Sequence, residues 1–355
     1  YCKIKMNINI RSSRGNYKVI EFDFSKFLFS KTSNKFFYII DLNIYKKNKY
    51  LKKIKNNLVI IRANENTKDY KNISQIIGKL LNLQIKRDSI LIGIGGGITQ
   101  DITGFIASII FRGIRWDFIP TTVLAQCDSC IGGKTSINFE KTKNQLGNFY
   151  PPRRIHLDVN FLKTLKFNEI KSGLGEMSHY FLVSGLKDWN LFKKNLNHLL
   201  KKNLNKKLLK KMIFKSLLIK KKFIEIDEFD TGKRLILNYG HSFGHALEKI
   251  TNYQIPHGLA VAHGINISNF ISLKKKYIKF DTYKDIEIEM AKIVKLKKIK
   301  KINLKHFLEI LKKDKKNKKG EIKVILTKGY GKMFLKGFKE NFEIFSILKK
   351  YKNYI

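Results

Sequence analysis

Short apolar runs alternate with helically spaced apolar residues through the first half of the chain. Residues 36–44 form an apolar, aromatic run that reads as a strand closing on Asp41-Leu-Asn43, and 58–62 is a second short run. Residues 69–81 carry apolar side chains at helical spacing. Residues 89–94 are a continuous apolar run that meets glycines at once, the mark of a strand buried on both faces. Residues 98–111 read as a helix, 116–120 as a strand, and 156–159 as a last strand. Alternation of this kind predicts βαβ units and a mainly parallel sheet. After about position 161 the pattern changes. Residues 168–186, 189–202, 206–228, 241–251, 260–276 and 285–295 all favour helix, with few strand signals between them. The expected organisation is therefore an α/β domain over 1–161 followed by a mostly helical domain over 162–355. A chain of 355 residues is the right length for two domains.

The first candidate chemistry sits where the buried strand ends. Ile92-Gly93-Ile94-Gly95-Gly96-Gly97-Ile98 follows a strand and opens a helix. Backbone N–H groups at a helix N-terminus attract phosphate, and glycine lets a ligand approach closely. The spacing begins like a dinucleotide fingerprint, but Ile98 stands where the third small residue belongs, so a plain strand-to-helix turn is an equal reading on this motif alone. Downstream come Asp101, Gly104-Phe105, Arg112-Gly113, Pro120-Thr121-Thr122, Asp128-Ser129, Gly132-Gly133-Lys134-Thr135 and Lys143-Asn144. This density of Gly, Lys, Asp, Thr and Asn suits the phosphate and hydroxyl groups of a polar ligand.

The second candidate is a histidine cluster. Four of the eight histidines, His241, His245, His257 and His263, fall within 23 positions. His241 and His245 are four apart, hence on one helix face, and Glu176 in Ser172-Gly-Leu-Gly-Glu176 is a candidate carboxylate. Neutral imidazoles with a carboxylate suit zinc with an open coordination position. Cys127-Asp-Ser-Cys130 is formally a C-x-x-C, but a thiolate zinc site needs more cysteines than the three present. Two buried thiols flanking a useful Asp128 is the simpler reading.

Composition adds a strong charge and little specificity. The net charge is +44, carried by 63 Lys against 9 Arg and spread along the whole chain. A nucleic-acid site concentrates Arg, aromatics and a recognisable module in one place, so a specific nucleic-acid role is not expected. The excess lysine can still raise the encounter rate with anionic substrates. No apolar run is long enough to span a bilayer, no secretory signal is visible, and three cysteines fit a reducing cytoplasm.

The ordered set Gly95-Gly96-Gly97, Asp101, Gly104-Phe105, Arg112-Gly113, Pro120-Thr121-Thr122, Asp128-Ser129, Gly132-Gly133-Lys134-Thr135, Lys143-Asn144, Gly147, Glu176, Arg234, Asn238, Gly240-His241, Gly244-His245 and His257-Gly258 resembles the 3-dehydroquinate synthase family of sugar phosphate cyclases. The match runs from about Asp41 to about Gly331. The resemblance implies a Rossmann-like, NAD-binding α/β domain and a helical metal-binding domain, in a cytoplasmic homodimer. It implies Glu176, His241 and His257 as zinc ligands, cobalt being an alternative metal, and leaves His245 to substrate. NAD would lie against Asp41, Asn43, Glu65, Lys68, Gly96, Gly97, Asp101, Thr121, Thr122, Lys134, Lys143 and Thr164. Substrate would meet Asp128, Lys134, Lys143, Asn144, Lys220, Arg234, Asn238, His245 and one of Lys315 or Lys316, with Arg112 reaching the partner subunit's phosphate site. The implied reaction takes a 3-deoxy-heptulosonate 7-phosphate to a carbocycle by transient oxidation, phosphate elimination, re-reduction and aldol closure. One position departs: where the family carries lysine three residues after the metal-binding glutamate, this chain has His179. A sister cyclase, a metal-dependent alcohol or glycerol dehydrogenase, and a basic nucleic-acid or anionic-surface binder are the competing readings.

Overall fold

The computed structural model describes residues 6–26, 35–140, 142–201, 203–313, 321–339 and 341–355. They fall into two compact units, one drawn from Tyr1–Leu165 and Lys221–Phe229, the other from Lys166–Lys220 and Asp230–Ile355. The first contains strands β1 (Asn7–Ile10), β2 (Tyr17–Glu21), β3 (Phe36–Asp41), β4 (Leu58–Ile61), β5 (Ile90–Gly95), β6 (Arg115–Pro120), β7 (Lys134–Phe139), β8 (Thr142–Phe149) and β9 (Arg154–Leu157). Its helices are α1 (Leu42–Lys47), α2 (Tyr70–Asn82) and α3 (Gly97–Ile109).

Seven strands make one sheet in the order β1-β2-β9-β6-β5-β3-β4, parallel at every pairing except β1 with β2. The mainly parallel α/β sheet expected from the sequence is thus present. β5 is buried at all six positions, as its unbroken apolar run requires of a strand covered on both faces. The expected strand over 36–44 stops at Asp41. The Asp41 carboxylate accepts from the Asn43 backbone N–H at 2.9 Å and caps α1, so the chain turns helical at Leu42. Asp69 caps α2 in the same way. The polar run after Gly133 is a separate two-stranded hairpin, β7 with β8, which the sequence reading did not anticipate.

One order of strands matters for function. The crossover from β3 leads outward to β4, whereas the crossover from β5 leads the other way to β6. β3 and β5 are neighbours, with Ile40 opposite Ile94. Asp41 and the Gly95–Gly97 turn therefore close adjacent strands at a topological switch point, where open α/β sheets bind ligands.

The second unit is helical, as expected: α4 (Phe167–Ser184), α5 (Leu186–Leu199), α6 (Lys206–Ile224, counted with this unit as far as Lys220), α7 (His241–Ile250), α8 (His257–Lys274), α9 (Phe280–Ile293), α10 (Leu304–Lys312) and α11 (Asn341–Tyr354). The expectation of few strands after 161 needs a correction. β10 (Ile322–Thr327) and β11 (Met333–Phe338) form an antiparallel hairpin. Ile322, Val324, Leu326 and Phe338 turn into the core with Phe243, Phe270, Phe307 and Tyr351, so the hairpin buries an alternating face that the surrounding lysines obscure. α8 is buried along most of its length, and α4 from Ser172 to Val183. Among the described residues no helix is long and apolar enough to cross a membrane.

Candidate active site

In the first unit the glycine turn does two jobs. An added Cβ at Gly95 would come within 2.3 Å of the Thr99 hydroxyl, so this glycine lets β5 and α3 pack closely. Gly96 caps α3 without any side-chain hydrogen bond, and an added Cβ at Gly97 would meet only the Ser129 hydroxyl, at 3.8 Å. An uncapped helix start of this kind, open at Gly97, can offer first-turn amides to an anionic group. Thr121 donates its N–H to Gly95 O at 2.9 Å, and Thr122 packs against Gly96.

A polar net joins five of the expected residues beside this turn. Asp101, on α3, accepts from Lys68 Nζ at 2.5 Å, from Ser136 N at 3.1 Å and from Ser136 Oγ at 3.2 Å. Lys68 also donates to Asn144 Oδ1 at 2.8 Å. Glu65 accepts from Lys143 Nζ at 2.7 Å and from Asn138 Nδ2 at 2.9 Å, and Asn138 Oδ1 accepts from Asn144 N at 3.1 Å. Burial pushes the Asp101 carboxyl up, against the pull of Lys68 and Ser136. Burial acts upward on Glu65 as well, but hydrogen bonds from Lys143 and Asn138 hold it below the ordinary range. Asn144 sits at φ +54°, a left-handed conformation that asparagine tolerates better than most side chains. Ser136 and Asn138 bind this net together; Asn138 belongs to the polar run expected to suit a polar ligand, whereas Ser136 is not among the expected residues. Asp41 and Asn43 are held locally by the cap. Thr164 meets α1 through the bond from Lys47 Nζ to its carbonyl at 3.3 Å.

Asp128 lies in a single π-helical stretch, Ala125–Ser129, between the buried Cys127 and Cys130. Each thiol donates to a backbone carbonyl at 3.6 Å, Cys127 to Leu124 and Cys130 to Gln126. Lys134 is exposed at the start of β7.

The second unit gathers the histidines. Glu176 on α4 is fully buried, and it faces the first residues of two other helices. His241 Nε2 is 3.3 Å from Glu176 Oε1, and His257 Nε2 is 3.4 Å from Glu176 Oε2. Glycines bring these helices together. Gly240 adopts φ +81° and lies so close to α8 that an added Cβ would sit 2.9 Å from Val261 O, which sets His241 at the start of α7. Gly258 donates its N–H to Ser172 Oγ at 3.0 Å, and an added Cβ there would lie 1.8 Å from Ser172 O. α8 consequently docks its first turn on α4, one turn before Glu176.

The donor set fits a divalent metal. His241 Nδ1 is 3.3 Å from Tyr239 O. A carbonyl only accepts, so Nδ1 carries the hydrogen and the Nε2 lone pair faces a carboxylate oxygen. Two acceptors in that position call for a proton or a cation between them. Ligands about 2.05 Å from a tetrahedral ion stand about 3.3 Å apart, the spacing seen here. His257 Nδ1 meets Glu248 Oε2 at 3.0 Å. Glu248 lies on α7, seven residues after His241 and three after His245, a helical-face spacing that was present in the sequence but was not singled out. His245 is close by, its ring centroid 5.7 Å from that of His241 and 5.6 Å from that of His257.

The other expected residues divide as follows. Lys220, on α6, and Arg234 are buried cations of the second unit. Asn238 is half-buried and donates Nδ2 to Leu235 O at 3.0 Å. His263 is buried in the middle of α8. His179 is fully buried, with Nδ1 2.6 Å from the main-chain oxygen of Glu176 and its ring edge-on to His241 at 5.1 Å. Arg112 is exposed, in a run of three left-handed residues at φ +50° (Phe111), +65° (Arg112) and +111° (Gly113). Lys315 and Lys316 lie outside the described residues.

Comparison with known proteins gives a consistent result. A family model described as 3-dehydroquinate synthase N-terminal matches residues 58–172, and one described as 3-dehydroquinate synthase C-terminal matches residues 173–317. The chain is 35% identical over 299 residues to the 3-dehydroquinate synthase of Dictyoglomus turgidum (strain DSM 6724 / Z-1310), across 84% of this chain and 83% of the relative. Among solved structures it is similar to 2-deoxy-scyllo-inosose synthase complexed with carbaglucose-6-phosphate, NAD+ and Co2+ (TM-score 0.84, 22% identity, 98% of this chain and 99% of that one). It is also similar to the 2-epi-5-epi-valiolone synthase of Streptomyces hygroscopicus subsp. jinggangensis 5008 with NAD+ and Zn2+ bound (TM-score 0.83, 21% identity, 95% and 96%).

Proposed function

The chain belongs to the 3-dehydroquinate synthase family, and from that premise we propose that it converts 3-deoxy-D-arabino-heptulosonate 7-phosphate to 3-dehydroquinate and phosphate. It is an enzyme that cyclises a sugar phosphate, here read as a carbon–oxygen lyase dependent on NAD and a divalent metal. The observation that carries this reading is the buried Glu176 carboxylate facing His241 and His257 nitrogens at metal-donor spacing, in the same unit as the buried cations Lys220 and Arg234. Residues 1–161 form the cofactor-binding domain on this reading, and 162–355 the metal- and substrate-binding domain.

NAD, when bound, would supply hydride transfer, and a zinc or cobalt ion would supply Lewis-acid polarisation of a hydroxyl. Glu176, His241 and His257 hold the ion. The amides at Gly96 and Gly97 receive the dinucleotide phosphate, with Thr121 and Thr122 beside them. Asp41 and Asn43, at the switch point, together with Thr164 and the Glu65, Lys68, Asp101 and Lys143 net, hold the rest of the dinucleotide. Arg234 and Lys220 hold the substrate carboxylate. In the second unit Asn238 and His245 hold the phosphate and stabilise its charge as the bond to carbon breaks; Lys134 and Asn144 are the first unit's candidates for a sugar phosphate. Asp128 meets the sugar hydroxyls. The chain's own contribution is positioning and electrostatics.

A sister cyclase acting on an uncarboxylated sugar phosphate is the nearest rival. On the family's pattern Arg234 and Lys220 are the residues that read a substrate carboxylate, and their presence here favours the carboxylated substrate. A dehydrogenase would have no use for the phosphate set and would release NADH. A homodimer with Arg112 acting across its interface is supported by the strained exposed turn at Phe111–Gly113 and the exposed Ile109 and Phe111 beside it. A cytoplasmic location is supported by the two buried thiols. The test is direct: incubate the protein with NAD, zinc and the heptulosonate phosphate, and follow phosphate release and carbocycle formation. Metal-dependent turnover is expected without net NADH. Turnover of glucose 6-phosphate instead, or no metal-dependent turnover at all, overturns the assignment.

A further inference from the structure

We propose that Glu248 is a positioning residue for the metal site, setting the tautomer and ring orientation of His257. The inference rests on the metal reading above and adds a residue that reading does not include. His257 is pinned between two carboxylates, with Nε2 3.4 Å from Glu176 Oε2 and Nδ1 3.0 Å from Glu248 Oε2. Glu248 can only accept when ionised, so the hydrogen sits on Nδ1 and the Nε2 lone pair is presented to the ion. A carboxylate in this place also makes the imidazole a stronger donor.

The three ligands differ in how much help they need. Glu176 and His241 are enclosed, with side chains 1% and 13% exposed, and His241 is turned by the main-chain oxygen of Tyr239. His257 is 33% exposed and begins its helix, so packing alone leaves its ring the least restrained of the three. Glu248 reaches it from α7, the helix that also carries His241 and His245. One rigid element therefore supplies a ligand, a substrate-facing histidine and the group that aims the ligand on α8.

The same atoms allow a second arrangement. His245, Glu248 and His257 each bring a possible ligand atom within 4.8 Å of the others, so Glu248 might be expected to bind an ion of its own. Sharing His257 argues against it. With Nε2 in the Glu176 set, a second ion on Nδ1 would need the doubly deprotonated imidazolate. The geometry therefore favours orientation over ligation.

The test is titration of the metal-free, full-length protein with Co2+, followed by visible d–d absorption and by competition with a chromophoric chelator. Wild type is expected to take one Co2+ per chain. Glu248→Gln and Glu248→Ala should each keep that stoichiometry but bind about 10- to 100-fold more weakly, with a shifted cobalt spectrum. Glu248→Asp should recover part of the affinity. NAD binding and the melting temperature of the metal-free Gln variant should stay as in wild type, which separates orientation from damage to the fold. Unchanged cobalt affinity in both variants overturns the proposal. So does a wild type that binds two equivalents, with Glu248→Gln losing one and keeping the other at full strength. A wild type that takes up no cobalt removes the metal reading itself, and this inference with it.

Discussion

His179 stands one helical turn after Glu176, where the family ordinarily carries lysine. Its ring is fully buried, rests on Tyr180 at 3.8 Å between centroids, and places Nδ1 2.6 Å from the Glu176 carbonyl. The surroundings are shaped to a flat ring, so returning the family residue here is not a neutral change. His179→Lys is expected to lower stability by about 1–3 kcal/mol, because it loses the ring packing and brings a flexible ammonium into an enclosed space. Urea unfolding measures the loss, and cobalt titration should still give one ion per chain. At this scale the donor residues were legible because metal chemistry demands particular side chains, and the sequence states side chains directly. Glu248 was overlooked because a glutamate on a helix with a charged face ordinarily meets water. Ring tautomers were illegible, since they depend on partners such as Tyr239 O that only the folded chain supplies.

Glu176, His241 and His257 meet because three helices cross at bare backbone. Added Cβ atoms would lie 2.1 Å from Gly258 O at Gly175, 1.8 Å from Ser172 O at Gly258, and 1.9 Å from Gly240 O at Gly264. None of these neighbours is the movable end of a side chain. Gly258→Ala must therefore push α8 away from α4, and with it His257 away from Glu176. The expected cost is about 1–3 kcal/mol in stability, accompanied by weaker cobalt binding, which denaturant unfolding and metal titration read separately. Helix and strand existence was largely legible at this scale. β5 announced itself as an unbroken apolar run, and α2 and α4 through α9 as periodic stretches. The β10–β11 hairpin was not legible, because its alternating Ile322, Val324 and Leu326 lie beside the lysine-rich stretch over 292–319. The β7–β8 hairpin was read for its chemistry and missed as structure, since its strands are short of buried positions on one side. α8 begins at His257, directly after Pro256 at its N-cap, three residues before the apolar spacing from Ala260 indicates.

For the molecule as a whole, the +44 charge makes each buried carboxylate pair count when acid is added. Asp117, in β6, is the clearest case. It accepts from Arg153 Nε at 3.1 Å and Arg153 Nη2 at 2.9 Å, with His156 Nε2 3.3 Å away. Burial acts upward on its carboxyl, but His156 and Arg153 hold it below the ordinary range. A depressed folded value means that the stabilisation is complete above the unfolded carboxylate range, near pH 4, and disappears as pH falls through the lower folded value. Asp117→Asn is accordingly expected to cost about 2 kcal/mol at pH 7 and progressively less as pH falls below 4, measured by urea unfolding at both ends. The basic composition itself gave no clue to the reaction, and the ordered motifs did. Cys127 and Cys130 carry a further consequence. They flank Asp128, 0% and 1% exposed, each bonded to a main-chain oxygen. An alkylating reagent can reach them only while that stretch is open. With Cys2 replaced by serine, the labelling rate of these two sulfurs becomes a clock for opening of the π-helical stretch that carries Asp128, and its slowing on addition of NAD or a sugar phosphate measures how far a bound ligand holds that stretch closed.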